Sequence, residues 1–252
     1  MVKHPPQSPE QEKKLGRVLI TGSKGTIGSL LVCGLTEKFE IVGLDIKGDP
    51  NQKTEFIADI SNKAALETVF DAMGHVDFII HLAASADENA PWEEVLENNI
   101  IGTANIYDCA QRYGVKRIIF TSSTHLFGKY PQYPDKPSKK PIPVNAPYRP
   151  DGYYGISKGF GENLARYYYD TFGIQTISIR IGHVLRKNTP QKPYHLLWLS
   201  HKDAIDVFEK ALLSEIEFGV YFAISIEPTI FDIEPTKKDL GFTPEGKPSK
   251  EH

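Results

Sequence analysis

A chain of 252 residues, 40% of them hydrophobic, can bury a full core and needs no second domain, because α/β folds of this length commonly form one unit. Its formal charge of −3, with both signs interspersed, offers no basic stripe; this excludes a nucleic-acid partner and points to a small polar ligand. No apolar run approaches the roughly 18 residues of a membrane span, and the polar start is no signal peptide. Cys33 and Cys109 fall in apolar helical patterns and read as buried, reduced thiols, so the chain is expected to be cytoplasmic and free of membrane contact.

In chain order, short apolar runs at 17–21, 40–45, 55–58, 76–81, 116–122, 176–181 and 219–224 alternate with helical patterns near 26–38, 62–73, 92–113, 152–172 and 202–214. Strands apolar on both faces and separated by helices require a parallel sheet covered on each side. The predicted fold is therefore α/β, a doubly wound parallel sheet of the Rossmann type with a small C-terminal region covering the substrate. Residues 1–14 read as a mobile extension, 15–244 as one domain, and 245–252 as a tail.

One segment breaks the alternation. Residues 130–150 hold seven of the 18 prolines and show no periodicity, so they form a long loop. It runs between two candidate catalytic residues, and it is either a passive connector or part of a substrate rim near 127–151, with a second rim segment near 183–200.

The first strand feeds Gly22-Ser23-Lys24-Gly25-Thr26-Ile27-Gly28, a tight turn opening a helix. Gly22 makes the turn, Gly25 lets backbone amides approach phosphate, Gly28 permits close packing, and the helix N-terminus adds partial positive charge. The second strand ends in Asp45-Ile46, where the carboxylate can accept both ribose hydroxyls and would repel a 2′-phosphate, which favours NAD over NADP. Asp59 and Ile60 can border the adenine. Leu82, Ala83 and Ala84 leave room for a dinucleotide across the sheet edge; Asn99 can hydrogen-bond in that crevice, and Ile181 ends the sixth strand beside it.

Tyr154 and Lys158 are four apart on one helix and share a face. A lysine ammonium stabilises phenolate and is expected to lower the tyrosine pKa from about 10, so that Tyr154 can take the proton of a substrate hydroxyl. Ser123, ending the fifth strand, can hold that oxygen. Ser85, His125 and His183 are candidate substrate contacts, although each histidine can equally be a core group bonded to backbone. Their spacing gives no metal pattern.

With these residues assembled, the chain resembles the extended short-chain dehydrogenase/reductase family, also called the NAD-dependent epimerase/dehydratase family. The markers are Thr21 to Gly28, the Asp45 strand end, His81-Leu82-Ala83-Ala84, Asn98 to Thr103, Thr121-Ser122-Ser123, Tyr154 to Lys158 and Arg180-Ile181-Gly182. Within the family, the stretches 150–166 and 198–203 look most like bacterial uronate dehydrogenases. That resemblance implies oxidation of a uronate ring at its anomeric carbon with reduction of NAD. It makes Ser123, Thr124 and His125 substrate contacts beside Tyr154, and it allows a homodimer through the two long helices, with a monomer equally open.

Two departures bear on the substrate. Thr124 stands where the family commonly has Asn. The arginine that grips the uronate carboxylate has no counterpart between Arg180 and Trp198, leaving Arg186, Lys192 or His195 as replacements, none with the same bidentate geometry. A neutral, acidic or phosphorylated sugar therefore remains open. The alternative activity is a nucleotide-sugar epimerase or dehydratase with tightly bound NAD, against which stand the 72 residues after Arg180, few for a nucleoside diphosphate pocket. A redox-sensing scaffold without turnover is a third reading, opposed by the intact Ser123, Tyr154 and Lys158.

Overall fold

The strand runs Arg17–Thr21 (β1), Glu40–Asp45 (β2), Glu55–Ile57 (β3), Phe78–His81 (β4), Arg117–Ser123 (β5), Gln175–Ile181 (β6) and Phe218–Ala223 (β7) are joined into one sheet in the order β3-β2-β1-β4-β5-β6-β7, all parallel. The computed structural model describes residues 13–49, 51–136 and 140–246. The order reverses between β1 and β4, so the loops leaving these two strands diverge and open a crevice at the carboxyl edge.

Period-two alternation within apolar strands gives the sheet two dry faces. Val18 and Ile20 point into one core with Leu31 and Leu35 of α1 (Thr26–Leu35) and Val207 and Phe208 of α6 (His201–Leu213). Leu19, between them, joins the opposite core with Leu66 and Phe70 of α2 (Lys63–Met73), Ile106 of α4 (Gly102–Arg112) and Ala165 of α5 (Tyr153–Phe172). A third cluster, with Phe127, Ile142, Phe222 and Phe231, lies under the proline-rich loop.

That loop is no free connector. Ile142 N–H donates to the Ile230 carbonyl at 2.8 Å and its own carbonyl accepts from Asp232 at 2.9 Å, anchoring it to the chain leaving β7. Beneath it, Arg180 of β6 donates to both Glu162 carboxylate oxygens, at 2.8 and 2.7 Å, and to the Val144 carbonyl at 2.6 Å. Glu162 also accepts from Ser122 at 2.5 Å and Tyr148 at 2.5 Å. One buried ion pair thus joins β5, α5, β6 and the loop.

Four expectations change. The helix predicted over 92–113 is α3 (Trp92–Val95), a π-helical turn Leu96–Ile101, and α4; one added residue in that turn resets the side-chain register. A short helix α7 (Glu234–Leu240), with proline in its first turn, was not expected. Cys109 is buried but Cys33 is exposed, since it sits on the outward face of α1. The ends are tied where they are described: Lys14 bonds the Thr36 and Glu37 carbonyls, and Glu245 N–H donates to Asp203 at 3.0 Å. The rest of the predicted extension, 1–12, and of the tail, 247–252, lies outside the described residues. No described helix is long and apolar enough to cross a membrane.

Both side chains of the Arg180–Glu162 pair are 3% exposed, so removing one partner leaves a buried charge uncompensated. Glu162→Ala is expected to lower the unfolding free energy by about 3–5 kcal/mol in urea denaturation, a loss typical of a broken buried pair.

Candidate active site

The crevice at the sheet edge is a cavity of about 550 Å³. Its floor is set by the first turn after β1. Gly22 adopts φ +71°, and its N–H donates to the Leu44 carbonyl at 2.7 Å. A Cβ on Gly22 would stand 2.9 Å from the Ala83 nitrogen, and one on Gly28 would stand 2.0 Å from the Gly22 carbonyl oxygen. The α1 N-terminus at Gly25 has no side-chain cap, leaving its amides free toward the cavity.

A polar knot locks β1 to β4 below this floor. The Thr21 hydroxyl bonds His81 Nδ1 at 2.8 Å and accepts the Leu82 and Ala83 amides at 3.2 Å; His81 Nε2 meets the Thr103 hydroxyl at 3.1 Å. Burial drives the His81 pKa down to about 3, aided by the Lys158 charge, so the ring is neutral.

Of the residues expected at the cofactor, Gly22, Gly25, Thr26, Ile27, Gly28, Asp45, Ile46, Asp59, Ile60, Leu82, Ala83, Ala84, Tyr154, Lys158 and Ile181 all line this one cavity. Asp45 accepts the Lys24 amide at 2.9 Å and the Lys47 amide at 3.1 Å, one on each oxygen, which fixes the carboxylate and leaves each oxygen a second lone pair. Two expected residues lie elsewhere. Ser23 is buried, its side chain directed to Gly43 of β2. Asn99 is used by the protein: it donates to the Ser85 carbonyl and Ser157 hydroxyl, both at 3.0 Å, and accepts the Ser85 amide at 2.7 Å. It ties the loop after β4 to α5, while its neighbour Asn98 lines the cavity.

Tyr154 and Lys158 face the crevice from the first turns of α5, with Lys158 Nζ 5.4 Å from the Tyr154 ring centre. The expected lowering of the tyrosine is not what the protein alone produces. Removal from water pushes the Tyr154 phenol up to about 12, against an opposing hydrogen bond from Ser123, and burial pushes the Lys158 ammonium down to about 8. Desolvation of both groups outweighs their attraction at this separation. Ser123, 4% exposed, also accepts the His125 amide at 3.2 Å, which holds its hydroxyl at the strand end.

Ser85 lines the cavity and bonds Glu94 at 2.5 Å. Thr124 is 1% exposed and is not part of the cavity lining; its buried hydroxyl has no hydrogen-bond partner among the described residues. The His125 ring lies 5.5 Å from the Tyr154 ring and 5.9 Å from that of His183. Sequence reasoning missed Glu88, Glu94, Asp151 and Tyr194 around these histidines. Asp151 sits three residues before Tyr154 and carried a signal; the others come together only through the fold. Among the described residues there is no group of His, Cys, Asp or Glu able to hold a metal.

Residues 18–201 match the family described as NAD dependent epimerase/dehydratase. The chain belongs to that family. It is 36% identical to a uronate dehydrogenase of Pseudomonas putida over 90% of this chain and 83% of the relative. It is 31% identical to an NAD-dependent glucose-6-phosphate dehydrogenase of Haloferax volcanii, over 93% of this chain and 98% of that one. A solved mutant of uronate dehydrogenase from Agrobacterium tumefaciens, complexed with NAD, superposes with a TM-score of 0.79 at 32% identity, covering 91% of this chain and 84% of that structure. The chain is therefore an NAD-dependent oxidoreductase of the short-chain dehydrogenase type, and the crowded glycine turn, uncapped helix end and Asp45 carboxylate fit a bound dinucleotide.

A histidine whose folded pKa lies below its unfolded value of 6.5 contributes stability that is complete above 6.5 and is lost as pH falls toward 3, because the unfolded chain takes up the proton first. His81 should add up to about 1.4 kcal/mol per pH unit to the acid slope of unfolding in that window, and His81→Gln should flatten the slope by that amount.

Proposed function

We propose that the protein oxidises a hydroxyl-bearing carbon, the anomeric one, of a small sugar or sugar acid, in the manner of a uronate dehydrogenase, with Tyr154 as the base. The observation that carries this reading is that Tyr154 and Lys158 line the same cavity as the glycine turn and Asp45, with Ser123, at the end of β5, close to the phenol. Gly22, Gly25, the α1 N-terminus and Asp45 would hold NAD, which when bound supplies the acceptor for a hydride.

Ser123 orients the substrate hydroxyl, and Tyr154 takes its proton as the carbon–oxygen double bond forms. A phenol raised to about 12 is a strong proton acceptor once ionised, and a charged Lys158 one turn along α5 would favour that ionised form. The same reading includes a cytoplasmic location and a homodimer packed through α4 and α5, which together with the adjoining turn expose Ile101, Ile156 and Tyr167.

Tyr154→Phe should cut kcat for sugar-dependent NADH formation by about 10²–10⁴-fold, the scale of a lost general base, while the Kd for NAD stays close to wild type. Unchanged turnover would end the proposal. In parallel, Asp45→Ala should erode the preference for NAD over NADP, measured as the ratio of kcat/KM for the two cofactors.

A further inference from the structure

We propose that the substrate is an uncharged aldose and that the site selects against sugar acids and sugar phosphates. This rests on the dehydrogenase reading above and names the chemical class that reading leaves open.

The wall beside Tyr154 is acidic and aromatic. His125 Nδ1 lies 2.8 Å from the Asp151 carboxylate, and its Nε2 lies 3.6 Å from that of Glu88. A single imidazole, even fully protonated, balances one of these two charges. Glu94 adds a third carboxylate on the cavity lining. Next to them, His183 stacks on Tyr194 at 4.2 Å and 14°, and the Tyr194 hydroxyl reaches Glu88 at 3.5 Å. The segment 183–198, where a cation could have met an anionic substrate, thus presents an aromatic ring tipped by a carboxylate.

Among the described residues, Lys158 is the only lysine or arginine lining the cavity, and it stands at Tyr154. The adjoining cleft, with Glu88 and Asp151, is lined by no lysine or arginine. Arg186, Lys187 and Lys192 of the neighbouring segment are exposed. Arg180 is buried and committed to Glu162. Burial also draws the His183 pKa down to about 4, so that ring is neutral at working pH. An anion placed here would face uncompensated negative charge in a partly dry site. A neutral pyranose meets complementary groups: carboxylates accept its hydroxyl protons, and its C–H face lies on the His183–Tyr194 stack.

The deciding measurement is kcat/KM with NAD for galactose, glucose and arabinose beside galacturonate, glucuronate and glucose 6-phosphate. The best neutral sugar should exceed every anionic one at least tenfold, and Glu88→Lys should narrow that gap at least fivefold. Calorimetric titration of the NAD-loaded protein should show the same order in Kd for competing, non-reacting deoxy sugars and their acids. Preference for a uronate or for the sugar phosphate overturns this inference and leaves the dehydrogenase reading intact. Absence of NADH with all sugars overturns both.

Discussion

The hydroxyl of Thr21 does more than any other single group to hold the crevice in shape. It takes a proton-bearing or lone-pair position on His81 and receives the two amides that follow β4, so the loops leaving β1 and β4 are set against each other before any ligand arrives. The close contact of Gly22 with Ala83 is possible only at that spacing. Because His81 is neutral and bonded at both nitrogens, the knot is satisfied without burying a net charge.

A second constraint works on the same face of the sheet, farther along it. The Arg180–Glu162 pair fastens α5 to β6, and Ser122 and Tyr148 bind the same carboxylate. Since α5 carries Tyr154 and Lys158, the buried pair sets where the phenol stands relative to Ser123 on the neighbouring strand. Asn99 finishes the arrangement by joining the loop after β4 to Ser157 on α5. Three separate polar connections therefore converge on one helix, and each draws on buried groups whose loss would be felt through the whole sheet.

Much of this was readable in the sequence because the signals were local. Seven apolar runs gave seven strands, and the turn from Gly22 to Gly28, Asp45 at a strand end, and the Tyr154–Lys158 spacing each carry their chemistry within a few residues. What was missed depends on distant partners. Asn99 taken by itself reads as a buried structural amide, but its partners Ser85 and Ser157 are known only once the fold brings them beside it. Glu88 and Tyr194 are unremarkable in their own segments and become a wall only when the loop after β4 meets the chain after β6. The tyrosine pKa was misjudged because a four-residue spacing shows attraction but not the removal of water around both groups. The helix at 234–240 escaped notice because its proline and short length mask its period.

The π-helical turn at Leu96–Ile101 carries a consequence for how this chain can vary. An α-helix rotates about 100° per residue, so the extra residue swings every following side chain of α4 relative to α3 by that amount. Deleting one residue there would restore regular winding, yet it would turn Asn99 away from Ser85 and Ser157 or rotate the apolar face of α4 out of the core. The irregular coil therefore fixes the length of this segment as firmly as Asn99 fixes its chemistry.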